Sequence, residues 1–284
     1  REPGSSYHVQ FKPGGYQKRV SDNYDKHLCL IPGDVIDFIV ATQPKAWARL
    51  KEHYGGRVKT KFLRRLSKEI ERRGTLEVLR KGVKDMGCTF TLAYFPPPSR
   101  LNIDLQRLHE ANMFSVVRQL HYSSNTEQSI DIVLFLNGIP LFSAELKNPL
   151  TGQNVEDAIV QYRKDRNPRE PFFRFGRCLA HFAVDPNLVY VTTRLEGEKT
   201  RFLPFNKGWN NGAGNPPKSP TQMGYATDYL WKEIWAKDSV LDLIRQFIHK
   251  VELEDRDGKK TGDWAIIFPR FQQLDAVREL VSHV

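Results

Sequence analysis

Asp131, Glu145 and Lys147 fall in one stretch, Ser129-Ile130-Asp131-Ile132-Val133-Leu134-Phe135-Leu136-Asn137-Gly138-Ile139-Pro140-Leu141-Phe142-Ser143-Ala144-Glu145-Leu146-Lys147-Asn148. Thirteen residues separate the two carboxylates and one residue separates Glu145 from the lysine. Carboxylates held close together repel. A divalent cation relieves that repulsion, and hard oxygen ligands with a few waters suit Mg²⁺. An ammonium beside them can hold a water or a developing oxyanion. The chemistry exists only if the three side chains converge, so the backbone that carries them decides the matter.

Asn137-Gly138 between two apolar runs is the strongest short hairpin signal. Ile130, Ile132, Leu134 and Leu136 form one apolar face, and Phe142, Ala144 and Leu146 form its counterpart on the return strand. If both faces meet one core, opposed residues must have numbers with an even sum, because a one-residue slip turns a strand over. A tight two-residue turn at 137–138 gives an odd sum. A loop centred on Gly138, or an Asn-Gly turn with a bulge, gives an even one. The expected form is the three-residue type of loop. That register sets Asp131 opposite Glu145, with Cβ atoms about 4.5–5.5 Å apart, and Lys147 on the same face.

The rest of the chain supplies the supports. Residues 1–26 are polar and read as an arm or loop, giving an N-terminal segment 1–27. Pro32-Gly33-Asp34 and Gln43-Pro44 open helices. Residues 57–84 hold eleven Lys/Arg against three acids. They read as a basic helix ended by Gly74, with a second short helix ending near Gly87. Residues 89–95, 113–120, 179–184 and 188–193 read as strands, and 153–163 as a helix. Residues 166–174 form a charged connector, 204–224 a Gly/Asn/Pro-rich loop, 238–253 an amphipathic helix and 254–263 a linker. A new apolar segment fills 264–284.

The 284 residues carry a formal charge of +10 and 40% hydrophobic residues. That composition is ordinary for a globular protein and favours an acidic partner, nucleic acid first. No apolar run approaches the ~20 residues of a membrane span. Cys29, Cys88 and Cys178 are too few and too widely spaced for a disulfide scaffold or a structural zinc site. Reduced thiols and a cytoplasmic location are expected. The absent initiator Met suggests a fragment. Arg64 and Arg65, in the basic block, are candidates for tracking DNA phosphates.

The Asp–spacer–Glu-x-Lys layout resembles that of the PD-(D/E)xK nucleases, with Ile130 in place of the proline of that name. The surrounding text is more specific. Arg118-Gln119-Leu120-His121-Tyr122-Ser123, the hairpin itself, Gln161-Tyr162-Arg163, Phe182-Ala183-Val184-Asp185 and Phe202-Leu203-Pro204-Phe205-Asn206 resemble the restriction (R, motor) subunit of type I restriction-modification enzymes. The resemblance runs from about Leu28 to the C-terminus. It implies a restriction-endonuclease-like α/β core, a central mixed sheet flanked by helices, with an N-terminal helical elaboration at 28–85 and nuclease domain limits of 28–253. Phe268-Pro269-Arg270-Phe271-Gln272-Gln273 is similar to the adenine-reading Q motif of superfamily 2 motors, with Gln273 as the nucleotide-binding glutamine. Residues 264–284 would then begin a motor domain. No phosphate-loop motif is present in this sequence, so ATP hydrolysis and translocation are expected only of the full-length subunit.

The same resemblance implies roles. Asp131, Glu145 and the Leu146 carbonyl would bind Mg²⁺, and Lys147 would orient the attacking water for hydrolysis of phosphodiester bonds in double-stranded DNA. Methyltransferase and specificity subunits would be the partners. Related nucleases carry Gln-x-x-x-Tyr on the next helix. Here Tyr162 is in place, Ala158 stands four residues before it, and Gln161 is its neighbour. Both Gln161 and Tyr162 are candidate DNA contacts. Glu77 and Glu110 are candidates for a completing helix acid. The alternative function is a non-catalytic DNA-binding or subunit-docking module that keeps the fold.

Overall fold

The computed structural model describes residues 15–97, 101–219, 223–255 and 257–282. Residues 1–14 of the expected arm lie outside them. Four helices open the chain: α1 (Pro32–Thr42), α2 (Pro44–Tyr54), α3 (Val58–Arg73) and α4 (Thr75–Lys81). Proline at the first turn of α1 and α2 supplies a preset φ where no N–H partner is needed. In α3, Phe62, Leu63, Leu66 and Ile70 are buried at helical spacing, and Gly74 ends the helix at φ +86°.

The centre is a seven-stranded mixed sheet. In chain order its strands are β1 (Gln17–Arg19), β4 (Phe114–His121), β5 (Ser129–Leu136), β6 (Ile139–Leu146), β7 (Ala180–Val184), β8 (Val189–Thr192) and β9 (Leu203–Pro204), and they lie side by side in that same order. Pairs β1–β4 and β6–β7 are parallel and the others antiparallel. The parallel β6–β7 step is made through helix α6 (Val155–Lys164), as parallel neighbours require a crossover. A separate hairpin pairs β2 (Val83–Asp85) with β3 (Cys88–Phe90), and α5 (Ile103–Glu110) precedes β4. This is the mixed α/β sheet with flanking helices that the sequence predicts.

Both sheet faces are covered. Leu134, Phe142 and Ala144 join one large apolar cluster with Val35, Phe62, Leu66 and Leu79 of the N-terminal helices. Val133 and Phe135 pack on the other side with Tyr162, Phe172 and Phe173. Ile130, expected with the even positions, joins this second cluster, next to a distortion of β4 described below. The three cysteines are free and buried.

Several expected elements differ. Residues 17–19, read as part of an arm, form an edge strand. It is too short to show a period, and Arg19 ties it down through a 2.9 Å ion pair with the buried Asp34. The helix expected to run to Gly87 stops at Gly82. There an added Cβ would meet the Phe90 carbonyl at 2.3 Å, so the chain turns into β2. The helix expected over 238–253 ends early: α7 (Lys237–Asp242) and one π turn lead into β10 (His249–Glu254). Pairing with β11 (Lys260–Ile267) overrides the local helical pattern, and the expected linker 254–263 is the turn end of this hairpin. Helix α8 (Phe271–Ser282) follows. The segment from 264 packs on the core, Phe268 meeting the rings of Phe142, Phe182 and Phe205.

Candidate active site

The turn between β5 and β6 is a two-residue Asn137-Gly138 turn with φ of +50° and +78°, not a three-residue loop. An added Cβ at Gly138 would sit 2.5 Å from the Ile31 carbonyl, so only glycine fits. Asn137 is fixed by its amide, which donates to the carbonyl of Leu92 and to Asn112 Oδ1. Beyond the turn the register shifts by one residue between Leu134 and Phe135, where the partner is Pro140. Proline has no N–H to give the ladder, and a bulge is where a sheet tolerates it. Past the bulge Ile132 opposes Ala144 and Val133 opposes Ser143. The even-sum register is therefore reached by the turn-plus-bulge route. Continued one step, it sets Asp131 beside Glu145 on the face that Tyr162 covers.

Asp131 is held from both neighbouring strands. Its Oδ2 accepts the Leu146 N–H at 2.8 Å, and its Oδ1 accepts Gln119 Nε2 at 2.8 Å. Gln119 lies on β4 between Arg118, which opposes Ile132, and Leu120, which opposes Ile130. Its backbone is left-handed, φ +51° in the middle of a strand. Such strain persists only where the surroundings impose it. Ser129 Oγ donates to Gln119 Oε1 at 2.8 Å and completes the bracket.

Glu145 is 0 % exposed. Its Oε1 takes two N–H groups from Arg166, Nε at 2.9 Å and Nη2 at 2.6 Å. Arg166 is buried too, donates to the Ser129 carbonyl, and lies over the Tyr122 ring. Glu145 Oε2 is buried with no hydrogen-bond partner. Burial pushes the Glu145 carboxyl up to about 8, opposed by Arg166 and reinforced by the negative charge of Asp131. An unpaired buried carboxylate oxygen costs free energy unless a cation or donor completes it. Among the described residues no group of three or more His, Cys, Asp or Glu could hold a metal. The oxygen donors available to a cation are Asp131, the orphaned Glu145 Oε2 and the Leu146 carbonyl. That is a hard-oxygen set with positions left for water, and it fits Mg²⁺.

Lys147 Nζ donates to Gln161 Oε1 at 2.6 Å, while the Lys147 N–H continues the ladder onto Val184. Helix α6 positions Gln161. It starts with an Asn154/Asp157 capping box and turns Val155, Ala158, Ile159 and Tyr162 inward. Tyr162 is 0 % exposed, so it cannot contact DNA as the sequence suggested. Its hydroxyl shares a 2.9 Å hydrogen bond with Ser143, which in turn bonds His181 Nδ1 at 2.7 Å. Burial drives His181 down to about 3, leaving it uncharged at neutral pH.

The structure brings Asp131, Glu145 and Leu146 together and joins Lys147, next along the chain, to Gln161. The other candidates lie elsewhere. Arg64 and Arg65 ride on α3, whose apolar side packs with the opposite sheet face. Arg65 pairs with Glu69 at 3.3 Å and Arg64 points to solvent. Glu77 pairs with Lys81, and Glu110 accepts from Gln106. Gln273 is exposed on α8, its Oε1 accepting the Arg270 N–H at 3.2 Å. Two residues that sequence reasoning missed complete the cluster. Arg166 sat in a charged connector, and only the need of a buried glutamate for a counter-charge pointed to it. Gln119 is the register neighbour of Asp131 on β4, visible only once that pairing is known.

One mixed sheet between helical layers, with paired carboxylates and a lysine at a strand end, is the class that the restriction-endonuclease-like resemblance implies. The chain belongs to the family of type I restriction enzyme R protein N termini, whose model matches residues 37–200, the whole cluster included. It is also 26% identical over 185 residues to a Methanocaldococcus jannaschii chain named as the type I restriction enzyme MjaVIIIP endonuclease subunit. That alignment takes in 62% of this chain and 15% of the relative's length.

Proposed function

We propose that this chain is the nuclease module of a type I restriction subunit and hydrolyses phosphodiester bonds of double-stranded DNA with Mg²⁺. The observation that supports it is a buried Glu145 with one oxygen unpartnered beside Asp131, with Lys147 two residues further along the chain and held by Gln161. Asp131, Glu145 Oε2 and the Leu146 carbonyl would hold the ion. When bound, Mg²⁺ supplies Lewis-acid charge at the scissile phosphate. Arg166 balances the charge of Glu145 and fixes its Oε1, so that Oε2 stays directed away from the guanidinium. Gln119 fixes Asp131 in the same way. Lys147, steadied by Gln161, orients the attacking water and offers positive charge to the developing oxyanion. In the full-length subunit the cut would be coupled to ATP-driven translocation, with residues 264–284 opening the motor domain and methyltransferase and specificity subunits as partners.

The test is nicking of supercoiled plasmid in Mg²⁺, alongside calorimetric titration with Mn²⁺. Lys147→Ala should lower nicking about a hundredfold or more, the scale of a lost charge-stabilising group, and leave Mn²⁺ affinity within a few-fold. Asp131→Ala should lose both. Nicking that survives Lys147→Ala would remove the lysine from the chemistry; absence of nicking by the parent, with Mn²⁺ binding that survives Asp131→Ala, would leave the non-catalytic docking module as the better reading.

A further inference from the structure

A pocket of about 130 Å³ adjoins the lysine end of the cluster. Leu146, Lys147, Val184, Pro186, Tyr225 and Trp231 wall it. Its wall is mostly apolar and aromatic, with Lys147, Asn148 and Thr227 as polar members. Asp185 also borders it, its carboxylate held by the N–H groups of Val155, Asn187 and Leu188. The two loops around the mouth expose apolar side chains that a lone surface would not group. Leu150, on the turn after Lys147, is 91 % exposed, Met223 93 % and Tyr225 57 %. The Tyr225 side chain makes no hydrogen bond or ring contact among the described residues, so its ring is free to accept a flat partner.

A phosphate poised at Lys147 carries a deoxyribose and a base on each side. Lys147 lines this pocket and lies two residues along the chain from Glu145, so a nucleoside on that side would pass the pocket mouth. Phosphates seek cations; bases and sugars seek apolar and aromatic faces, and every base has a face that stacks. We propose that the pocket is a nucleoside subsite, taking a base turned out of the duplex next to the scissile phosphate with Tyr225 as its stacking face. This rests on the nuclease reading above. It assigns Tyr225, Trp231 and Leu150 to substrate contact, outside the acidic motif.

The test is photocross-linking of the chain, in Ca²⁺, to duplex DNA carrying 5-iododeoxyuridine in place of thymidine, with the joined peptide read by mass spectrometry. Attachment at Tyr225 or Trp231 is the expected result. Attachment confined to other surfaces, while nicking still depends on Lys147, would overturn the subsite and leave the nuclease reading standing. Absence of both cross-links and Lys147-dependent nicking would remove the nuclease reading and the subsite with it. The kinetic counterpart is Tyr225→Ala, expected to lower kcat/KM about tenfold, the scale of one lost stacking contact, with Mn²⁺ affinity unchanged. Tyr225→Phe should restore the rate to within about twofold. Equal losses in the two variants, or no loss in either, would refute a stacking role. The ring is exposed, so its removal should leave the fold intact, and a thermal melt of each variant checks this directly.

Discussion

The basic block of residues 57–84 and the single Arg166 show two uses of positive charge. The block carries eleven cations against three acids, and most of them face water or serve the backbone. Arg73 donates to the carbonyls of Gly82 and Glu77, and Arg80 to those of Ile244, Arg245 and Ile248. Arg166 is one residue in a connector, yet it is buried and meets the buried Glu145 with two N–H groups. Exposed pairs contribute about 0–1 kcal/mol. Removing one partner of a buried pair strands the other charge and costs about 3–5 kcal/mol. Charge density along a sequence therefore says little about which charge the fold depends on.

That contrast can be broken most sharply at Arg166. Above pH about 8, where Glu145 is ionised, Arg166→Ala should lower unfolding free energy by about 3–5 kcal/mol in urea titration, and by less below it, where the carboxyl carries its proton. A loss under about 1 kcal/mol would mean that Glu145 takes up a proton at little cost. Glu145→Ala should be similarly damaging, so Glu145→Gln is the cleaner probe of activity. The next effect is on pH. With the Glu145 carboxyl raised to about 8, the ion-free protein holds a proton there below that pH, and cation binding must expel it. Mn²⁺ affinity should fall as pH drops from about 8, by up to tenfold per unit. A flat profile would show Glu145 already ionised by Arg166. Smaller again is Gln119→Ala, expected to weaken Mn²⁺ binding about tenfold through loss of the support to Asp131, with a melt close to that of the parent. The smallest is Arg64→Ala, within about 0.5 kcal/mol of stability. A larger change there would give the basic helix a structural role that its exposure does not suggest.

The hairpin was legible because its signals are local. Asn137-Gly138 marks the turn, and the parity of the apolar positions fixes which side chains share a face. The juxtaposition of Asp131 and Glu145 follows from that parity alone. What escaped depends on residues distant in sequence. Arg166 finds Glu145 across a helix and a turn, and Gln119 takes a left-handed backbone that no residue pattern announces for glutamine. Tyr162 lies on the expected helix, yet the structure turns it inward where the sequence suggests a DNA contact, since a tyrosine suits a core and a surface equally. Residues 249–254 became a strand only because 260–267 offered an edge, which is tertiary information.

The bulge at Leu134 and Phe135 has a consequence for how this hairpin tolerates change. It works as a one-step phase shifter between the turn and the acidic end. The tip answers to Ile31 and Leu92, the far end to Arg166 and Gln119, and the offset lets each satisfy its own neighbours. Adding one residue and erasing the bulge at the same time would keep the register of the acidic end, but the tip, tight against Ile31, leaves no room for the addition. Either edit alone would rotate Glu145 away from Asp131 and into the layer occupied by Leu134 and Phe142.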